Sequence, residues 1–301
     1  MNRHTHSGAR CGAMATVAIV FAATAFAQQG DDVTIKSTRV AGNVYMLEGR
    51  GGNMGACVGP DGILLIDDQF APLAEKIRAA LRSLDPGPLA FILNTHFHGD
   101  HVGGNPVFGK EGTIIAHENV RKRVSVRQES GDRVREALDP AGWPVVTFKE
   151  SVTIHFNGED IRFLHLPAGH TDGDAIVHFP KANVVHMGDL MFSGRFPIID
   201  IDSGGTVDGF VANREWVLEN MPRDTKVIPG HGPLSTMEDV QRLRDMIVET
   251  RDYVSARVKD GQTVDEIKQA GLPANFKSFE TESITAGRWI DTLYRSISQQ
   301  N

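Results

Sequence analysis

Three imidazoles and a carboxylate fall within six consecutive residues of this 301-residue chain: His96, His98, Asp100 and His101. Imidazole nitrogen and carboxylate oxygen are the donors that zinc accepts, and four of them converging suit one or two zinc ions. A single histidine is more often a satisfied polar residue of a core or surface. Four titratable groups in one short run are different, because burying them without a partner would cost too much.

Donors so close in sequence converge in space only if the backbone turns between them. The apolar run Phe91-Ile92-Leu93-Asn94 reads as a buried strand, and strand alternation sends His96 and His98 the same way. A helix opening at Asp100-His101 would aim two more donors at the same space. Upstream, Val33–Arg39 and Val44–Leu47 read as strands turning at Ala41-Gly42-Asn43. The glycine-rich turn Gly49–Gly55 leads into a strand over Ala56–Val58. No Lys-Ser/Thr follows it, so it is not a phosphate loop. A strand over Gly62–Asp67 and a helix over Pro72–Leu84 complete the approach to the cluster.

Downstream the pattern predicts a strand at Thr113–Ala116 and a helix at Glu118–Arg127. Gln128–Pro144, with Gly131, Pro140, Gly142 and Trp143, reads as a surface loop and a candidate substrate flap. Four or five strands fill Val145–Met187. Helices follow at Asp208–Met221, Ser235–Val258, Val264–Ala270 and Ser283–Ile297, with a strand at Lys226–Ile228. The expected fold class is α/β, an αββα sandwich of two mixed sheets flanked by helices, in a single domain over residues 28–301.

Residues 1–27 read as a signal peptide. Arg3 and Arg10 supply a positive start, Ala13–Ala25 an apolar stretch, and Ala25-Phe26-Ala27 a cleavage site. The expectation is a periplasmic or secreted protein with no membrane anchor after cleavage. Cleavage takes the basic count from 31 to 29 against 38 acidic residues, moving the net charge from −7 to −9. Such a chain is a poor partner for nucleic acid, and a small-molecule substrate is expected. Only Cys57 survives cleavage, so no disulfide forms within the chain, and it reads as a core residue.

The His-x-His-x-Asp-His run does not stand alone. Leu65-Ile66-Asp67-Asp68 precedes it. Pro167-Ala168-Gly169-His170-Thr171-Asp172-Gly173-Asp174, Gly188-Asp189-Leu190-Met191-Phe192 and Ile228-Pro229-Gly230-His231-Gly232-Pro233 follow it in order. Together these resemble the metallo-β-lactamase superfamily. The resemblance implies two Zn2+ per chain, one held by His96, His98 and His170, the other by Asp100, His101 and His231, with Asp189 bridging. It implies a zinc-dependent hydrolase in which a metal-bridging hydroxide attacks the carbonyl of a lactam, lactone, ester or thioester, with Asp100 as catalytic residue. Asp67 would brace the metal loop, and Asp68 beside it is expected to be exposed.

Departures from the family pattern bear on substrate. The best-known zinc β-lactamases of this superfamily carry Cys at the variable position and a carboxylate-gripping Lys three residues on; here Asp189 and Phe192 stand there. A bridging Asp resembles glyoxalase-II-like thioesterases, lactonases and RNase-Z-like phosphodiesterases. A phosphodiesterase-type hydrolase, or a mononuclear iron dioxygenase on the same fold, is the alternative. Arg195, in the turn Ser193–Pro197, is the candidate for gripping a substrate anion, with surface pairing to Asp200 or Asp202 as the plainer reading. His155, His165, His178 and His186 are read as core or surface residues, and His117 as a candidate support for a ligand.

Overall fold

A computed structural model of the chain describes residues 32–130 and 133–298. The leader read over residues 1–27 lies outside them. The described residues from Thr34 onward form one compact unit. The first strands are β1 (Lys36–Ala41), β2 (Val44–Glu48), β3 (Met54–Gly59) and β4 (Gly62–Ile66), followed by helix α1 (Ala74–Leu84) and strand β5 (Leu89–Asn94). Two single-turn helices, α2 (Gly99–Val102) and α3 (Asn105–Phe108), lead to β6 (Thr113–His117), α4 (Glu118–Val124) and the strands β7 (Gln128–Ser130), β8 (Arg133–Arg135) and β9 (Val146–Phe148). The second half runs through β10 (Ser151–Phe156), β11 (Glu159–His165), β12 (Ala175–Phe179), β13 (Val184–His186), α5 (Val207–Asn220), β14 (Lys226–Ile228) and β15 (Ser235–Thr236). Helices α6 (Met237–Lys259), α7 (Val264–Ala270) and α8 (Ala286–Ser298) close the chain.

Two mixed sheets result. The first has the order β1-β2-β3-β4-β5-β6-β9 and the second β10-β11-β12-β13-β14-β15. Within the first, β1 to β4 pair antiparallel and β4, β5, β6 and β9 parallel. Alternation along the strands of the second sheet divides its side chains between two cores. Val177, Val184 and Ile228 face Met46, Leu64, Ile66 and Leu93 of the first sheet. Their neighbours Ile176, Val185 and Val227 face the helices, among Phe210, Val217, Ile247 and Trp289. Sequence-adjacent residues entering opposite cores is the period-two signature of a sheet covered on both faces. Among the described residues no helix is long and apolar enough to cross a membrane.

Several boundaries differ from the pattern reading, each for a local reason. The helix read over Ser235–Val258 begins at Met237, because Thr236 accepts from the Asp239 N–H and Asp239 returns a bond to Thr236, a capping box. Ser235-Thr236 is released to pair with β14. The last helix starts at Ala286, after a 3-10 turn over Ala274–Phe279. The helix read over Glu118–Arg127 stops at Val124, and Gln128–Pro144 is not an unstructured surface loop. It holds the antiparallel pair β7–β8. Trp143 is tied down, its Nε1 donating to Leu138 O at 2.9 Å and its ring packing with the cluster around Phe97.

Candidate metal centre

The site sits where the strand ends of both sheets meet. After β4, Asp67 adopts a positive φ of 57° and is fully buried. Its Oδ1 accepts from Thr95 N at 2.8 Å, and its Oδ2 from Thr95 Oγ1 and His101 Nδ1, each at 2.7 Å. These bonds pin the segment after β5 that carries His96 and His98, and orient the ring at the end of that segment. His98 is the extended N-cap of α2, which delivers Asp100 and His101.

The second sheet supplies the rest from three loops. Asp174 accepts from the backbone N–H of His170 at 2.7 Å, of Thr171 at 2.9 Å and of Gly169 at 3.3 Å. It also accepts from the Thr171 hydroxyl at 2.6 Å, and these bonds fold the loop that presents His170. Burial pushes the Asp174 carboxyl up to about 7, against those donors. Asp189 lies in the turn after β13, and His231 follows β14. Both turns need glycine. A Cβ on Gly188, at φ 51°, would lie 2.6 Å from Thr95 Oγ1, and one on Gly230 would lie 2.1 Å from Asp189 Oδ1.

The seven residues form two groups: His96, His98, His170 and Asp189, then Asp100, His101 and His231. The Asp189 carboxylate divides itself between them. Its Oδ2 lies 3.4 Å from His170 Nε2 and 3.8 Å from His96 Nε2. Its Oδ1 lies 3.1 Å from His101 Nε2 and 3.4 Å from His231 Nε2. His98 Nδ1 is 2.8 Å from His170 Nε2, and Asp100 Oδ2 is 3.2 Å from His231 Nε2.

The rings are held from outside by their other nitrogens. His96 Nδ1 lies 3.1 Å from Thr95 Oγ1, His98 Nε2 2.9 Å from Asp200 Oδ2, and His170 Nδ1 2.8 Å from Ile198 O. His101 is held by Asp67. Such outer bonds fix the tautomer and leave the inner nitrogen free to ligate. The inward atoms are correspondingly orphaned: His96 Nε2, His101 Nε2 and Asp189 Oδ1 are buried and have no well-directed hydrogen bond. Orphaned buried polar atoms are rare in native folds, and three around one space fit a bound metal.

The two groups differ in charge. Burial holds His96 well below the ordinary imidazole range and His170 down to about 4, so both are neutral. Burial opposes charge on His101 and His231 too, but Asp189 and Asp67 push His101 well above its usual value. Asp189 and Asp100 raise His231 to about 9. Burial works against the Asp100 charge, yet His231 and His101 hold that carboxyl down to about 2.

Asp68 is not exposed, as the sequence suggested. It is fully buried, with Oδ1 accepting from Gly104 N at 2.9 Å, and burial and the neighbouring Asp67 push its carboxyl well above the usual range. The Ser193–Pro197 turn is not simply exposed either. Phe192 and Phe196 are buried, and Arg195 is half-buried with its guanidinium 5.4 Å above the Phe192 ring. Phe192 in turn stacks on His231, centroids 5.4 Å apart and planes at 13°. Asp200 is engaged by His98 and Asp202 by Arg295.

Three contributors carried no signal in the sequence reading. Asp200 reaches His98 from 102 residues away, a juxtaposition that no local pattern encodes. His186, read as a core residue, donates from Nε2 to Asn53 O at 3.1 Å and accepts from Gly188 N at 3.2 Å, bracing the Asp189 turn. Arg135 lies in a stretch that read as loop. His117 caps α4 and stacks on His165, centroids 3.9 Å apart, and His155 pairs with Asp160 at the surface. Cys57 is buried, its thiol pushed up to about 12 by burial, as expected of a core residue.

Several known proteins are similar to this chain. The metallo-beta-lactamase type 2 of Bacteroides fragilis is 23% identical over 77% of this chain and 93% of its own length. A hydroxyacylglutathione hydrolase of Synechococcus sp. is 30% identical over 53% of this chain and 55% of its own. The crystal structure of the DIM-1 metallo-beta-lactamase superposes with a TM-score of 0.60, covering 73% of this chain and all of that one at 16% identity, which supports the fold. The sequence profile of the Metallo-beta-lactamase superfamily matches residues 38–231, a span that takes in every donor of both groups. The chain belongs to the metallo-beta-lactamase superfamily, and is a metallo-hydrolase of that family.

Proposed function

We propose that the chain is an exported binuclear zinc hydrolase that attacks the carbonyl of a small molecule, a lactam, lactone, ester or thioester, and cleaves its acyl bond. One observation carries the reading. The Asp189 carboxylate offers one oxygen to each donor group, so each group has four donors counting Asp189. Two zinc ions held by these residues would supply Lewis acidity and a water acidic enough to attack at neutral pH. The protein residues orient that chemistry. Asp100, ionised and partly accessible, accepts the proton of the attacking water and returns it to the leaving group. Phe192 makes an apolar wall against His231, where the β-lactamase pattern has a cation. Arg195 grips an anionic substituent from above that wall. Export to the periplasm or medium follows from the leader at residues 1–27.

The test is a panel of β-lactams, lactones, thioesters and phosphodiesters assayed with zinc-loaded, metal-stripped and zinc-restored protein. Turnover of a carbonyl substrate that is lost on stripping and returns with zinc supports the reading. Turnover confined to phosphodiesters, or iron-dependent oxygen consumption, refutes it.

A further inference from the structure

The strand pair β7–β8 ends in Arg135 beside the metal loop. Its Nη1 donates to the carbonyl oxygen of Phe97, the residue between two of the donor histidines, at 3.3 Å. The Phe97 ring is buried and sandwiched, with the Arg135 guanidinium 4.6 Å from its centroid and that of Arg123 at 4.9 Å. The two cations are provided for differently. Arg123 forms a two-bond pair with Asp172, both bonds 2.7 Å, and bonds Ser203 O as well. Among the described residues Arg135 has no ion-pair partner; it feels Asp200 and Asp100 only at a distance, and burial lowers its affinity for its proton. A half-buried guanidinium with one neutral bond has unused donors in its planar fork. The two carboxylates it feels, Asp200 and Asp100, bond His98 and approach His231, so the guanidinium stands near the rim of the metal site.

We propose that Arg135 is a substrate-binding residue, and that the natural substrate carries a carboxylate which Arg135 takes at this rim. The inference rests on the hydrolase reading above and narrows it to anionic carbonyl compounds. Arg195 stands beside the other donor group, over Phe192, with a buried Nε that has no hydrogen-bond partner. The site is thus flanked by two underused guanidinium groups, one near His96 and His98 and the other near His231. A neutral substrate would leave both unpaired.

Two paired comparisons test this. The first measures binding to the zinc-loaded protein by calorimetry, using glutaric acid monoanilide and the same anilide with its free carboxylate replaced by carboxamide. The second measures kcat and KM for the matching 4-nitrophenyl esters. Wild type should prefer the carboxylate probe, and Arg135→Ala should cut that preference about tenfold, the usual scale for a charge-assisted bond. Zinc content should stay unchanged and the kinetic loss should fall on KM. Arg135→Lys should keep part of the preference. No carboxylate preference in wild type, or an Arg135→Ala loss equal for both probes, overturns the proposal and leaves Arg135 as a latch on Phe97. Failure of the hydrolase reading shows separately, as probes that bind while neither ester is turned over.

Discussion

Replacing Asp67 separates the support of the metal site from the site itself. The carboxylate is buried and accepts three hydrogen bonds, from Thr95 N, Thr95 Oγ1 and His101 Nδ1. Alanine would strand all three donors. At about 1–3 kcal/mol each, the loss is at least ~3 kcal/mol against a total stability of about 5–15 kcal/mol. Asparagine is the more informative change. It tolerates the positive φ and keeps the shape, so little backbone strain is added. Its single carbonyl oxygen can serve Thr95 N or His101 Nδ1, not both. If its amide group faces His101, the imidazole must carry its proton on Nε2, the atom that points into the site. Asp67→Asn should therefore cost the metal-free protein about 1–3 kcal/mol and weaken zinc binding at the Asp100–His101–His231 group about 10–100-fold. Chelator competition reads the second effect, and urea unfolding of metal-free protein the first. Wild-type zinc affinity in Asp67→Asn would refute the claim that this carboxylate sets the His101 tautomer.

Other perturbations discriminate in different ways. Zinc-loaded wild type should retain two ions per chain by elemental analysis after mild dialysis, and His231→Ala should reduce the count; a ratio near one that His231→Ala leaves unchanged refutes the binuclear centre. Asp189→Ala removes the oxygen facing each group and should lose both the ion pair and most turnover, so wild-type metal content and rate would refute the bridging role. Proton release should be uneven. In metal-free protein the acidic neighbours hold His101 above the ordinary imidazole range and His231 up at about 9, while burial holds His96 below that range and His170 down at about 4. Loading zinc near neutral pH should thus expel protons mainly from the group of Asp100, His101 and His231. Below pH about 9, falling pH strengthens proton competition at His231, so affinity for the ion held there should drop from pH 8 to 6, and more steeply than affinity for the other. Calorimetric titrations in buffers of different protonation heat measure this, and equal slopes for both ions would contradict it.

How much of this was legible depended on the range of the interaction. The approach to His96–His101 could be read locally, because the apolar run Phe91–Asn94 marks the strand that delivers it. The ligands from the second sheet were legible only through ordered motifs, since nothing local brings His170 or His231 towards His96. Asp68 was misjudged because exposure at a strand end depends on the loop that later covers it, here the turn at Gly104. The β7–β8 pair was missed because three-residue strands give too little alternation to register. Asp200 was invisible as a support of His98, for its only signal is distance in space.

The two sheets are also two halves of the sequence. Every strand of the first lies before Lys149 and every strand of the second after Glu150, with the short connection Lys149-Glu150 between them. His96, His98, Asp100 and His101 come from one half, and His170, Asp189 and His231 from the other, with Asp189 reaching across to both donor groups. Metal in this centre would act as a cross-link, welding two consecutive pieces of chain at the open end of their shared core. Its removal should loosen the seam between the halves more than either sheet. A chain cut within the Lys149-Glu150 connection should hold together, or fall apart, according to whether zinc is present.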